Sequence, residues 1–574
     1  MPRFFLTCLL FAYTASLQII AQNYPKNYFS SPLEIPLFLS GNFGELRSNH
    51  FHAGLDIKTQ GVEGQKVLAV ADGYVSRIRV SPYGYGKAIY VTHPNGYTSV
   101  YAHLKKYSDK INQYVEAYQY TKESFAVQIF PSQNEIQVKK GELIAYSGNS
   151  GGSGGPHLHF EIRESKTEHP INPFLFGFDI KDQINPDIYG ITIYPLNDTS
   201  LINGINQPKR ISTYGKNGVY HLTSHPTINL YGEFGFGIEA VDRMNGTGNS
   251  YGLYNIQLRH NEKLVFEQEM NEFAFHEGRY LNALIDYKTY VLNRKRVQRS
   301  YILKGNKLRF YKHHENKGHL IFNDGQTHQL SYKVSDINQN ASTISFEVTA
   351  KKIEAKQPAE FKSGEIIRFF PYNQRNTFMA DAILVDIPQG LLYDDLYFEF
   401  REEAATEKTI SPIYWLHNCY TPLHSHMSIS IKGKTISKEL RPKSLIVSTT
   451  DGRSWYPEGG TWKGDNLTVK SRSFGGYAIA VDTTAPKIVP INIYQNSDMR
   501  NKWSISVKIN DNLSGINYYR GTVDGKWILM EYDAKNDLLT YFFDEKVPAG
   551  KHQFKLIVSD GVNNTSTFEA DFIR

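Results

Sequence analysis

Five side chains in three short stretches have the types and spacing that metal chemistry needs. In NHFHAGLDI (49–57), His52 and Asp56 stand four apart. If that segment is extended, residues 52, 54 and 56 share a face, and Gly54 leaves room for a divalent ion between the two donors. In GPHLHFEI (155–162), His157 and His159 are two apart, so a strand there points both imidazoles the same way. Between these pairs lies YAHL, with His103 at the end of a strand-like run. Imidazole nitrogen together with carboxylate oxygen is a donor set suited to zinc. Glycine fills five of the eight positions 148–155, giving a loop whose backbone can approach a substrate closely. No Gly-Lys-Ser/Thr follows it, which excludes a phosphate loop. Glu161 shares the strand face of His159 and is a candidate to hydrogen-bond that ring. His50 shares the face of His52 and reads as a groove or packing residue. Each motif alone is weak; their co-occurrence in one compact region carries the inference.

The elements that must position these residues read as strands. Residues 66–71 and 74–80 flank a turn at Asp72-Gly73, and 87–93 and 97–104 flank Pro94-Asn95-Gly96, where Asn-Gly between strand-like runs is a hairpin signal. Residues 107–135 break this rhythm and read as an insertion, partly helical, that either lines the groove or decorates the surface. From about residue 178 the chain is strand after strand, with no long amphipathic helix. One internal repeat is visible: HQLSYKVSDINQNAST (328–343) and HQFKLIVSDGVNNTST (552–567) match at eight of sixteen positions. The pattern resembles the final hairpin of a bacterial immunoglobulin-like domain, and AVDTTAPKI (480–488) resembles the entry into one. The fold class is therefore all-β. Expected boundaries are a signal peptide at 1–21, a metal-bearing unit at 22–177, a β-sandwich region at 178–355, a β-rich domain at 356–483 and an immunoglobulin-like domain at 484–574.

The chain has 574 residues, enough for about four domains at ~150 residues each. Its net charge of +6 over that length excludes a polyanion-binder's signature, so no nucleic-acid partner is expected. Tyr (39) and Phe (33) are abundant, which favours β-structure. The opening has a basic Arg3, an apolar run and Ala21 at a cleavage position, and reads as an export signal. No later stretch is apolar enough to span a bilayer. Cys8 lies within the signal and leaves Cys419 alone, so no internal disulfide is expected. His417, Cys419, His424 and His426 imitate a metal motif but lack a matching carboxylate or cysteine pair. Lys312-His313-His314 reads as a solvated turn, and His328 and His552, at one place in the repeat, as domain-structural residues.

The residues 33–173 resemble the lysostaphin-type, or LytM-type, zinc endopeptidases, metallopeptidase family twenty-three. The resemblance rests on His52-Ala53-Gly54-Leu55-Asp56, Tyr101-Ala102-His103 and His157-Leu158-His159, with SGNFGELR (40–47), VLAVADGYV (67–75) and KKGELIAYSGNSGGSGGPHLHFEIR (139–163) around them. It implies a groove across an antiparallel sheet. His52, Asp56 and His159 would hold one Zn2+, leaving a fourth position for water. His103 and His157 would be the unliganded catalytic pair, their division of labour left open. The implied substrate is the peptide cross-link of peptidoglycan. The tail and the SPLEIPLFLSGNFGELRSNHFH opening look like Gram-negative Bacteroidetes-type members, which implies a periplasmic or outer-envelope location. The alternative is a catalytically inactive relative that scaffolds or activates another wall hydrolase; such relatives usually lose zinc ligands, and none is lost here. The β-domains are expected to position or regulate the peptidase, without chemistry of their own.

Overall fold

The computed structural model describes residues 24–224, 226–355, 366–434 and 436–574. The expected signal segment 1–21, with Cys8, lies outside the described residues. The chain is all-β in class. It opens with an antiparallel sheet ordered Leu39–Gly41, Leu55–Lys58, His157–Glu164, Tyr97–Ala102, Lys87–Thr92, Gly73–Val80 and Val127–Ile129. The strand His157–Glu164 is central, and strand alternation sorts its residues. Leu158, Phe160 and Ile162 are wholly buried in a core with Leu55, Ile57 and Tyr101. His157, His159 and Glu161 face the other way. Register sets His159 directly opposite Asp56 on one side and Ala102 on the other. The strand-like run 97–104 does not continue through His103; it ends at Ala102, and a new strand, Leu104–Tyr107, joins a second, three-stranded sheet.

Segment 107–135 holds a helix, Asp109–Lys122. Ile111, Val115 and Gln119, each four apart, are its buried stripe. Asp109 in the first turn and Lys122 in the last complement the helix dipole. Its far end is a platform for the C-terminal unit. The Tyr120 hydroxyl donates to Asp544 at 2.7 Å, its ring meets Trp527 edge-on at 5.1 Å, and Lys546 sits 4.3 Å over it. Arg520 pairs with Glu123 at 2.6 Å and Lys87 with Glu531 at 2.7 Å. Aromatic pairs add about 0.5–1.5 kcal/mol beyond area burial. We expect Trp527→Ala to loosen this docking, seen as faster limited proteolysis between the two units; unchanged cleavage would show that Tyr120 is not an anchor.

Three β-units follow. Residues 187–350 form a continuous twelve-stranded arrangement in which the long strand Asn229–Val241 contributes to both layers. Between Ile366 and Val481 a six-stranded and a five-stranded sheet enclose a second core. Between Lys487 and Ile573 lie a four- and a five-stranded sheet. The sequence repeat is a hairpin in both copies, Thr327–Ser335 with Ala341–Ala350 and Lys551–Asp560 with Thr565–Ile573. Asp336 bonds Asn340, and Asp560 bonds Asn564, at backbone and side chain alike. His328 and His552 each bond an aspartate, Asp324 at 3.0 Å and Asp524 at 2.7 Å.

Two expectations are corrected. Lys312, His313 and His314 are not a turn: they lie in the edge strand Tyr311–His314, paired with Lys263–Glu269, where alternate side chains reach solvent. His52 does not lie in a strand, which starts only at Leu55, and Gly54 does not open a face between donors. A Cβ on Gly54 would stand 2.2 Å from the Phe160 carbonyl, so this glycine permits close approach of the chain to the central strand. No helix among the described residues is long and apolar enough to cross a membrane.

Candidate active site

Three donor atoms converge on one face of the sheet. His52 Nε2, Asp56 Oδ1 and His159 Nδ1 lie 2.9, 2.9 and 3.0 Å apart. All three residues are buried. Donors about 2.0–2.1 Å from one tetrahedral zinc lie roughly 3.3–3.4 Å apart, so the triangle is within a few tenths of an ångström of a zinc site. Among the described residues, this group is one of three clusters that could hold a metal ion, and the one that includes histidine.

The remaining atoms of these side chains are tied back into the protein. His52 Nδ1 donates to the Asn42 carbonyl at 2.7 Å. His159 Nε2 donates to Glu161 Oε1 at 2.7 Å. Each bond fixes a tautomer and leaves the opposite nitrogen for the metal. Asp56 Oδ2 accepts from Arg47 Nη2 at 2.8 Å. Glu161, wholly buried, is held by Arg163 Nε at 2.6 Å and by the Tyr85 hydroxyl. Burial alone would raise the Glu161 carboxyl, but Arg163 and His159 outweigh it and hold it at about 2. Glu161 is therefore an anion that orients His159, the partnership its strand position suggested.

His103 and His157 stand beside the triangle, with ring centroids 4.8 Å apart. His103 has φ +57°, an uncommon conformation for a non-glycine residue, which swings its ring off the end of Tyr97–Ala102. Its Nδ1 donates to the Ser150 carbonyl at 2.9 Å. Burial, then the neighbouring His159 and His157, push it down to about 3, so it is neutral at ordinary pH. His157 is less buried; its Nδ1 donates to the Gly155 carbonyl at 2.8 Å and its Nε2 lies 3.4 Å from Asp56 Oδ1. The glycine-rich loop lies against the turn at Gly84 and Gly86: Gly151 has φ +72°, and a Cβ there would meet the Gly86 nitrogen at 2.4 Å. Beyond this loop a cleft of about 550 Å³ runs between the sheet and the C-terminal unit, lined by Lys87, Lys105, Ser150, Glu531 and Tyr532. Lys535 reaches across to the carbonyls of Asn149 and Ser153. His50 is exposed, its ring bonds the Ser48 carbonyl at 2.8 Å, and it stays outside the donor triangle.

Residues not singled out from sequence are Asn42, Arg47, Tyr85 and Arg163. Asn42, Arg47 and Arg163 lie within motifs that were recognisable, but their roles depend on which strands pair. Tyr85 had no signal. At the imitation motif, His417 bonds Thr421 at 2.8 Å and His424 stacks on Tyr280 at 4.0 Å. No metal-capable cluster forms there among the described residues.

When the metal is absent, burial opposes a proton on His159, but hydrogen bonds to Asp56 and Glu161 outweigh it and raise the ring to about 9. A metal must displace that proton. Zinc binding at pH 7 is expected to release about one proton. Calorimetry in two buffers of different ionisation enthalpy measures this, and a release of zero would contradict the assignment of His159.

The pattern of Peptidase family M23 matches residues 50–121 and 128–173, running through most of the helix and breaking at 122–127. The chain carries an M23, LytM-type peptidase domain. A Zu5-like domain pattern matches 367–482. The DD-carboxypeptidase/endopeptidase Mpg of Neisseria meningitidis serogroup B is 32% identical over 128 residues, 22% of this chain and 23% of that protein. An uncharacterized metalloprotease of Haemophilus influenzae is 36% identical over 127 residues, 22% of each chain. The solved catalytic domain of lysostaphin from Staphylococcus simulans is 25% identical, covering 23% of this chain and 88% of that one, with a TM-score of 0.18. This chain thus spans less than a quarter of the length of the Neisseria and Haemophilus relatives.

Proposed function

We propose that the chain is an exported zinc metalloendopeptidase that hydrolyses the peptide cross-links of peptidoglycan in the periplasm or outer envelope. The observation that carries the reading is the pair of tied-back imidazoles. With His52 Nδ1 and His159 Nε2 already donating, the free nitrogens converge with Asp56 Oδ1 on one point. That donor set fits zinc, held by His52, Asp56 and His159. Bound there, zinc would supply Lewis-acid activation of water and of a carbonyl oxygen. The chain's own residues do the rest. His103 and His157 each have Nδ1 engaged on a backbone carbonyl, so Nε2 is the nitrogen of each that would take a proton or, once protonated, donate to developing negative charge on the scissile carbonyl. Glu161 and Arg47 hold the ligands still. The name of the Neisseria relatives, DD-carboxypeptidase/endopeptidase, supports a wall peptide as substrate.

Purified sacculi digested with the full chain, with products identified by mass, test this. Cross-linked dimers should convert to monomers. Free glycan strands beside intact released peptides would indicate an amidase, and no product from zinc-loaded protein would indicate a scaffold.

A further inference from the structure

The seam between the peptidase sheet and the first β-unit holds acidic side chains that the peptidase site does not use. Asp182, Asp242 and Asp336 each offer a carboxylate oxygen within 4.8 Å of the others. Their exposures are 9%, 2% and 4%. Asp182 Oδ2 and Asp242 Oδ1 are buried with no hydrogen-bond partner. Arg243, the adjacent cation, is engaged elsewhere, with Asp187 at 2.9 Å. Buried oxygens without partners are costly, and three close carboxylates repel one another. The strain shows in their protonation: burial, then the neighbouring Asp336 and Asp182, push Asp242 up to about 9. A cavity of about 20 Å³ adjoins the three aspartates and is also lined by Asn42 and Asn172, which follow strands of the peptidase sheet. That is room for an ion or a water, not for an organic ligand.

We propose that Asp182, Asp242 and Asp336 bind a hard divalent cation of the calcium class, which pins the first β-unit to the peptidase sheet beside His52. Calcium takes oxygen ligands at about 2.3–2.6 Å, so oxygens sharing one ion stand no more than about 5 Å apart. An all-oxygen set favours calcium over zinc. A related cluster, Asp482, Asp511 and Asp560, occurs in the C-terminal unit. The two share their framework: Ser342 and Ser566 donate to the carbonyls of Pro186 and Pro486, and Asn340 and Asn564 to those of Asp182 and Asp482. In the C-terminal copy one buried carboxylate oxygen, Asp511 Oδ1, lacks a partner, against two in the first. Both Asp482 oxygens accept backbone N–H groups, from Thr484 and Ser514, and Asp511 Oδ2 accepts two more. It therefore serves as the control.

The site is connected to the zinc ligands by a short run of hydrogen bonds. Asp242 and Tyr251 exchange two backbone bonds at 3.0 Å. The next residue, Gly252, bonds the Asn42 side chain at both its N–H and its carbonyl, each 2.8 Å. Asn42 offers its own carbonyl to His52. The cation would thus hold the strut that orients one zinc ligand.

The test uses the full chain, stripped on a chelating resin, reloaded with stoichiometric zinc and titrated with CaCl2. Thermal unfolding should shift upward by several degrees, saturating with calcium as expected for a ligand that binds only the folded state. Asp242→Asn and Asp336→Asn should abolish the shift. Asp242→Asn should also unfold at higher temperature than the wild type without calcium, since an amide is neutral without taking up the proton that burial, Asp336 and Asp182 force on the carboxyl. Asp511→Asn should keep the shift. Equilibrium dialysis with radioactive calcium gives the same answer without relying on unfolding: binding present in the wild type and lost in Asp336→Asn supports the site even if Asp242→Asn fails to fold. No calcium response in the intact chain would overturn the proposal and leave a buried water in the cavity. A response that survives both variants, or that is lost in Asp511→Asn, would overturn it equally.

Discussion

His159→Ala will strip the zinc from this protein and with it essentially all hydrolysis. Of the three donors, His159 is the most firmly held: it sits on the central strand, opposite Asp56, and its far nitrogen is clamped by Glu161, itself clamped by Arg163 and Tyr85. Removing the ring leaves only His52 and Asp56, and two donors do not make a zinc site of the kind that three donors plus an open position provide. It also takes one partner from the buried Glu161 carboxylate, which keeps Arg163 and Tyr85. Metal analysis after dialysis should fall from one zinc per chain to near zero, and turnover should fall by roughly 10³ or more, since the Lewis acid is lost. Glu161→Gln separates orientation from ligation. It keeps the donor atoms and weakens the clamp, so zinc affinity should drop about 10–100-fold. Stoichiometric zinc in His159→Ala would sink the ligand assignment.

The contrast between His159 and its supports shows what the sequence could and could not disclose. HxH on a strand is legible because a period of two forces both rings to one face. His52 and Asp56 are legible as a pair, but not for the reason their spacing suggests: the segment is not extended at His52, and Gly54 serves a close approach to Phe160. Spacing fixes neighbours along the chain and leaves open which strand lies alongside. The roles of Asn42, Arg47 and Tyr85 depend on that second fact. So does the helix Asp109–Lys122, whose Tyr120 meets Asp544, 424 residues away. The hairpin repeat was visible, but its aspartates become a cluster only when the units fold, because Asp182 and Asp242 lie outside the repeated stretch.

His157→Ala is expected to do the reverse of His159→Ala: retain zinc and lose about 10²–10⁴ in kcat, the range for a proton-transfer or oxyanion group. The two histidines are two residues apart on one strand face, yet their rings are held differently. His159 Nδ1 points into the donor triangle. His157 turns Nδ1 to the Gly155 carbonyl and leaves Nε2 3.4 Å from Asp56 Oδ1, beside the triangle. A ring placed there meets substrate and contributes to the rate without holding the metal. KM should change little if the ring acts mainly in the transition state. His103→Ala should likewise keep zinc, and pH profiles then separate the pair. Burial, then His159 and His157, push His103 down, so an acid limb near neutral pH in the wild type is not expected from it. If that limb disappears in His157→Ala and persists in His103→Ala, His157 takes the proton. Loss of zinc from His157→Ala with the metal retained in His159→Ala would mean that the two rings exchange roles, and that the tie between His159 and Glu161 serves packing instead of ligation.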